Sequence, residues 1–184
     1  MRYFYSLILY LISPLIVLYL KKRGKKNPKY LLFWQQRFGF GLINAEKKPL
    51  IWLHAVSVGE TRAMIKLISL LEKQFPHYKI LITHMTPTGR DTAQILYPNA
   101  LLHYIPYDMP HAVKNFYKTF KPKLGLIMET EIWPNLIHYA CKYKIPLYLI
   151  NARLSNKSYT SYSKIKLLIK SVLNNLTGIL CQDA

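Results

Sequence analysis

From Pro49 onward the chain repeats one alternation, which restricts the fold more than any other feature. Short apolar runs lie at 50–54, 79–84, 101–105, 124–128, 146–150 and 178–181. Helical patterns lie between them, near 61–74, 89–96, 112–120, 133–143 and 159–173. A strand that is apolar on both sides is buried on both faces, and intervening helices supply the covering layers. The pattern predicts a doubly wound parallel α/β sheet of the Rossmann-like kind. With 184 residues and no internal repeat, the chain is long enough for one such domain with a sizeable core.

Ligands of such sheets bind outside the carboxyl ends of the strands. The segments expected there are Ala55-Val56-Ser57-Val58-Gly59-Glu60, Met85-Thr86-Pro87-Thr88-Gly89-Arg90, Pro106-Tyr107-Asp108-Met109-Pro110, Glu129-Thr130-Glu131 and Asn151-Ala152-Arg153-Leu154-Ser155. Four of the chain's eight carboxylates fall in them: Glu60, Asp108, Glu129 and Glu131. A plain soluble domain scatters its acids over helix faces, so this concentration favours a site.

Each segment has two readings. Ser57, Gly59 and Glu60 open a helix, where small residues leave free N–H groups for an anion, but Glu60 also suits the helix dipole. Thr86, Thr88 and Gly89 repeat that logic, and a hydroxyl N-cap accounts for a threonine without any ligand. Glu129 and Glu131 can bind sugar hydroxyls, act as a base or form a structural ion pair. Asn151 reads as a cap or a polar contact, and Arg153 as a fork for phosphate or carboxylate. There is no GxGxxG and no Walker lysine. The six histidines have no metal-ligand spacing, so neither a metal nor a cofactor is expected. Cys141 and Cys181 form no pair and are expected to be buried thiols.

Lys and Arg exceed Asp and Glu by 26 to 8, a net charge of +18. That balance predicts an anionic partner. Nucleic acid is disfavoured because no reader motif is present and the charge clusters near the N-terminus and along helices. There, residues 3–20 carry no charge and six basic residues follow: Lys21, Lys22, Arg23, Lys25, Lys26 and Lys29. As a helix, 3–20 is about 27 Å long, close to the bilayer core. A secretory signal has its charge before the apolar run, not after it. Residues 1–22 therefore read as a membrane anchor, 23–48 as a basic juxtamembrane segment and 49–184 as the α/β domain. The positive-inside rule puts Lys21 onward in the cytoplasm, and an interfacial helix with a basic collar is the alternative to a spanning one.

After the collar comes Trp34-Gln35-Gln36-Arg37-Phe38-Gly39-Phe40, with an arginine to grip an anion and a glycine to bend the chain, but no acid. Taken in order, RFGF, HAVSVGET, THMTPTGR, YIPYDMP, METEIWPNL and NARLS resemble the N-terminal half of the bacterial 3-deoxy-D-manno-octulosonic acid (Kdo) transferases of lipopolysaccharide synthesis. The resemblance covers essentially the whole chain. It implies a GT-B glycosyltransferase on the cytoplasmic face of the inner membrane, held by one N-terminal anchor among anionic lipids. In that family an N-terminal domain receives the lipid A precursor (lipid IVA) and a C-terminal domain holds CMP-Kdo. Transfer inverts the anomeric centre and needs a base but no metal. The resemblance places Arg37, Gly39, Ser57, Gly59, Glu60, Thr86, Thr88, Gly89, Glu129, Glu131, Asn151 and Arg153 at the acceptor site. Two departures stand out. Gln36 occupies the position of the family's base glutamate. The chain also ends at Ala184, where the family's linker to the donor domain begins, so CMP-Kdo is expected to bind only through a domain this sequence lacks.

Overall fold

A computed structural model describes residues 1–129 and 131–182, and the side chains of all of these except Asn156, Lys157 and Ser161. Thr130 of the fourth strand-end segment lies outside the described residues, as do Asp183 and Ala184 at the chain end. Six strands, β1 (Leu50–His54), β2 (Lys79–His84), β3 (Leu101–Tyr104), β4 (Leu124–Met128), β5 (Leu147–Ala152) and β6 (Gly178–Cys181), form one sheet. Its order is β3-β2-β1-β4-β5-β6, and every pairing is parallel. Strand order reverses between β1 and β4, which makes their carboxyl ends the topological switch point.

Side chains alternate across the sheet and divide between two cores. Trp52, Leu81, Ile127 and Leu147 face one core, closed by Phe116 and Phe120 of α5 (Pro110–Phe120), Leu136 of α6 (Pro134–Lys142) and Val172 of α8 (Lys166–Leu173). Ile51, Leu53, Ile82 and Leu126 face the other, closed by Met64, Ile68 of α3 (Ile65–Gln74) and Ala93 of α4 (Pro87–Leu96). Trp52 is fully buried, its ring 5.0 Å from that of Phe116 and its indole N–H donating to Thr83 Oγ1 at 2.8 Å. Its bulk dictates the residue opposite it in β4. A Cβ on Gly125 would lie 2.8 Å from the Trp52 ring and 2.5 Å from Leu147.

The element boundaries differ from the sequence expectation where capping or strain intervenes. The helix expected over 61–74 starts earlier, as α2 (Val58–Ala63), because Ser57 caps it, and the chain breaks at Met64 before α3. The one expected over 159–173 is two helices, α7 (Asn156–Ser163), capped by Ser155, and α8. β5 runs on to Ala152 through a register shift, with Asn151 at φ 54°. The expectation of buried cysteines fails. Both are exposed, Cys141 on the outer side of α6 and Cys181 on the edge strand β6.

Before the sheet stands α1 (Arg2–Lys26), continuous through Pro14 and long and apolar enough to cross a membrane. Two 3₁₀ turns, Pro28–Leu31 and Trp34–Phe38, lead from it to Gly39. Gly39 ends the second turn at φ 77°, and a Cβ there would meet the Ala112 backbone of α5 at 2.5 Å. Its carbonyl accepts from the Asn115 amide at 3.2 Å. Gly39→Ala combines a left-handed strain with a backbone clash, so it is expected to lower unfolding free energy by about 2–4 kcal/mol. Urea unfolding of the two proteins checks this, and an unchanged midpoint would contradict the packing described.

Candidate functional site

The strand-end segments meet along the carboxyl edge, where local hydrogen bonding shapes each. After β1, Ser57 Oγ accepts from the Glu60 amide at 3.2 Å and donates to Glu60 Oε1 at 2.7 Å. Glu60 Oε2 accepts from the Val56 amide at 2.8 Å. This reciprocal capping box engages both carboxylate oxygens of a nearly buried Glu60. Gly59 is exposed, and a Cβ there would meet Ser57 Oγ at 3.8 Å, an ordinary contact. After β2, Thr86 Oγ1 accepts from the Gly89 amide at 3.1 Å and donates to the Val56 carbonyl at 3.2 Å, tying this loop to its neighbour. Gly89 is buried beneath, and Thr88 is exposed above.

At the switch point the acids gather. Glu131 accepts from the Trp133 indole N–H at 2.7 Å. Burial pushes its carboxyl up, the Trp133 bond opposes this, and the charges of Glu60 and Glu129 push it further up. Glu129 sits at φ 56°, a conformation that turns the chain sharply off the end of β4. Asn151 near the end of β5 and Arg153 just beyond it are exposed, and the helix there is capped by Ser155, not Asn151. Arg153 lines an open groove of about 670 Å³ with Ile132, Leu154, Tyr159 and Tyr162. Glu131 lies close enough for its charge, after burial, to raise the Tyr162 hydroxyl.

Gln36 and Arg37 stand elsewhere on the edge, at the end of β3. Gln36 is almost fully buried, and its Oε1 accepts from the Tyr104 amide at 3.0 Å. Arg37 is buried with its guanidinium stacked 3.9 Å over the Tyr104 ring, one nitrogen donating to the Met85 carbonyl at 2.9 Å. Its Nε and its other terminal nitrogen have no partner among the described residues. Arg90 lies 5.4 Å from the same ring and donates to the Leu102 carbonyl, which concentrates positive charge beside Gln36. β3 is two strand spacings from β1 and three from β4, roughly 10 and 14 Å. The carboxylates and Gln36 therefore occupy separate stations along the edge.

Three residues that matter here were given no role by the sequence: Arg90 and Asp108, which it placed only within strand-end segments, and Asn135. The Asp108 carboxylate accepts from the Asn135 and Leu136 amides at 2.8 and 2.7 Å, capping α6 from another loop. The Asn135 side chain donates to the Asp108 carbonyl at 2.6 Å and accepts from Arg2 of α1 at 2.9 Å. The sequence signal was the pair of short motifs PYDMP and WPN, whose partnership only the fold reveals. Buried His54, His84 and His103 are pushed down by burial to about 4, about 3 and about 4, so they are neutral at pH 7. Among the described residues no group of three or more His, Cys, Asp or Glu is placed to hold a metal ion.

A single parallel sheet with its polar segments at one edge defines a doubly wound domain of the GT-B-like class. Solved structures support that class. The chain matches a UDP-N-acetylglucosamine 2-epimerase with a TM-score of 0.50 and 15% identity over 73% of this chain and 42% of that one. A Listeria monocytogenes protein described as a UDP-N-acetylglucosamine 2-epimerase gives 0.53 and 13% over 74% and 39%. At such identities the likeness is one of fold. Residues 33–184 match the family model described as 3-deoxy-D-manno-octulosonic-acid transferase (kdotransferase). Similar relatives include the 3-deoxy-D-manno-octulosonic acid transferases of Haemophilus influenzae and Bordetella pertussis. The first is 36% identical over 99% of this chain, the second 35% over 97%. The chain belongs to the Kdo transferase family, a family of glycosyltransferases, and corresponds to its N-terminal domain. It spans 43% of the length of each of those two relatives.

Burial pushes the Asp108 carboxyl from 3.8 up to about 7, against its hydrogen bonds from Asn135, Leu136 and Tyr5. Between about pH 4 and 7 the folded protein thus holds a proton here that the unfolded chain releases. Asp108's contribution to stability falls as pH rises through that window and levels off above it. The advantage of the native chain over Asp108→Asn in urea unfolding is expected to shrink from pH 4.5 to pH 7.5. A difference independent of pH would contradict the burial of this carboxyl.

Proposed function

We propose that this chain is the acceptor-binding half of a transferase that moves Kdo from CMP-Kdo to a bis-phosphorylated lipid A precursor, lipid IVA, at the cytoplasmic face of the inner membrane. One observation carries the reading: the strand-end motifs and the apolar helix α1 share one edge of the sheet, with the lysine-rich end of α1 beside the Arg37–Arg90 cluster. Arg23 of that end lies 4.6 Å from the Tyr30 ring, and Lys29 pairs with Asp91 of α4 at 2.6 Å. A lipid with phosphates on its headgroup fits such an arrangement, the acyl chains staying with the membrane and the phosphates with the arginines. Ser57, Gly59, Thr86, Thr88, Glu129, Glu131, Asn151 and Arg153 then line the path of the headgroup sugars, with Gly89 buried beneath Thr88. Arg37 and Gly39 shape its β3 end.

In the reaction an acceptor hydroxyl oxygen attacks the anomeric carbon of Kdo from the face opposite the phosphate. The bond from that carbon to the phosphate oxygen breaks, CMP leaves, and the hydroxyl proton goes to a base. Residues outside this chain supply the CMP-Kdo site in this reading. Gln36 cannot be the base, since an amide takes up no proton at neutral pH. Glu60 has both oxygens engaged in its cap and Glu129 is exposed to water, which leaves Glu131, with its raised carboxyl, as the strand-end group best suited to accept a proton.

A second reading is favoured by one bond. Gln36 Oε1 holds the Tyr104 amide, a structural task that an amide performs without chemistry. On that reading the chain is a non-catalytic membrane module that binds the lipid A precursor. Co-expression with the C-terminal half of a family member, followed by mass spectrometry of the lipid, separates the two. Added Kdo with Gln36 intact supports the transferase, and its absence with retained lipid binding supports the module. In the same system Glu131→Gln is expected to lower transfer by about 10²–10⁴-fold, the usual worth of a positioned base, and Gln36→Glu to leave it unchanged. A gain with Gln36→Glu would place proton transfer at the β3 end of the edge instead.

A further inference from the structure

The residues of α1 that are buried or half-buried form one stripe along its whole length. Arg2, Ser6, Leu9, Ser13, Leu20 and Gly24 mark it. On the opposite face Phe4, Leu7, Leu11, Leu15 and Leu18 are 55–70% exposed. At 100° per residue the two sets point in opposite directions. The inner stripe is held by the domain at its start and middle, and by the turn that follows it at its far end. At the start, Arg2 and Ser6 hydrogen-bond the buried Asn135 side chain at 2.9 and 3.0 Å, and Tyr5 bonds Asp108. Midway, Tyr10 meets His111 of α5 at 2.9 Å. At the far end Leu20 is buried, Gly24 packs against Leu31, and Lys29 pairs with Asp91 of α4.

A helix that crosses a bilayer carries one end about 30 Å from the other through hydrocarbon. Here the start of α1 is bonded to Asn135 of α6, its Tyr10 to His111 of α5, and the chain three residues past its end to Asp91 of α4, all on one domain. Resting on the reading above that the chain works at a membrane, we propose that α1 is an in-plane anchor. Its inner stripe stays docked on the carboxyl edge, and its outer stripe enters the surface of an anionic bilayer. This explains why α1 carries no charge from Tyr3 to Leu20. One face meets protein and the other lipid, so neither needs to meet water. The charge pattern selects the occupant. Lys21, Lys22, Lys25 and Lys26 are exposed at the end of the stripe, complementary to anionic headgroups and repulsive toward a second copy of a +18 chain. Phe40, 57% exposed with its ring 5.8 Å from that of His111, widens the apolar surface beside Tyr10.

The test uses the full chain with Cys141→Ser and Cys181→Ser. One version carries a single cysteine in a short extension before Met1, another carries Leu11→Cys labelled with bimane. The in-plane geometry expects the extension to react with an impermeant maleimide in everted inner-membrane vesicles and not in intact spheroplasts. It expects the bimane, on vesicles of phosphatidylethanolamine and phosphatidylglycerol, to be quenched more by bromines near the carbonyl end of the acyl chains than by bromines near the methyl end. Labelling in intact spheroplasts, or stronger quenching near the methyl end, means that α1 spans and overturns the proposal while leaving the membrane reading intact. Flotation with the vesicles but no quenching means that protein covers the stripe, and also overturns it. Failure to float at all removes the membrane reading itself.

Discussion

The central parallel strands, covered by helices on both faces, leave little room for polar chemistry inside the sheet. That constraint organises the rest of the molecule. Trp52, Leu53, Leu81, Ile82 and Ile127 are buried because each lies in a layer between sheet and helix. Backbone and side-chain polarity collects where the strands end, and there the chain must cap its helices. Ser57, Thr86 and Ser155 do so from their own loops, and Asp108 does so for α6 from another. The candidate site is thus assembled from the same groups that terminate the secondary structure, which is why nearly every one of them has a structural bond as well as a chemical possibility.

The sheet was legible because its strands are uninterrupted apolar runs, a pattern with few alternative readings at such lengths. The helix starts were less so. Val58 begins α2 only because Glu60 reaches back to Val56 and Ser57, and periodicity alone points to Thr61. The break at Met64 and the extension of β5 through Asn151 follow from local backbone angles that composition does not encode. The cysteines were misjudged because the average tendency of the residue type was applied to positions whose place on α6 and β6 turns them outward.

The site was legible as a set of segments and not as a geometry. The segments do lie at one edge, but in stations. The β1–β4 switch point holds the acids, β3 holds Gln36 with two arginines around Tyr104, and β5 opens into the groove beside Arg153. Nothing in the order of motifs tells that Arg37 is buried or that Gly39 serves the packing of α5. The partnership of Asp108 with Asn135 was equally hidden, because each motif is explained by the other and neither by itself.

That partnership also sets an order of events. The residues that clasp the start of α1 lie more than a hundred positions further along, Asn135 being 133 residues from Arg2. At about 5–20 residues per second, synthesis takes roughly 7–27 s to deliver them. Throughout that interval a helix long and apolar enough to cross a membrane has been made and its seat has not. Whatever receives α1 first, lipid or chaperone, does so before the domain exists, and the domain then folds up against a helix already in place.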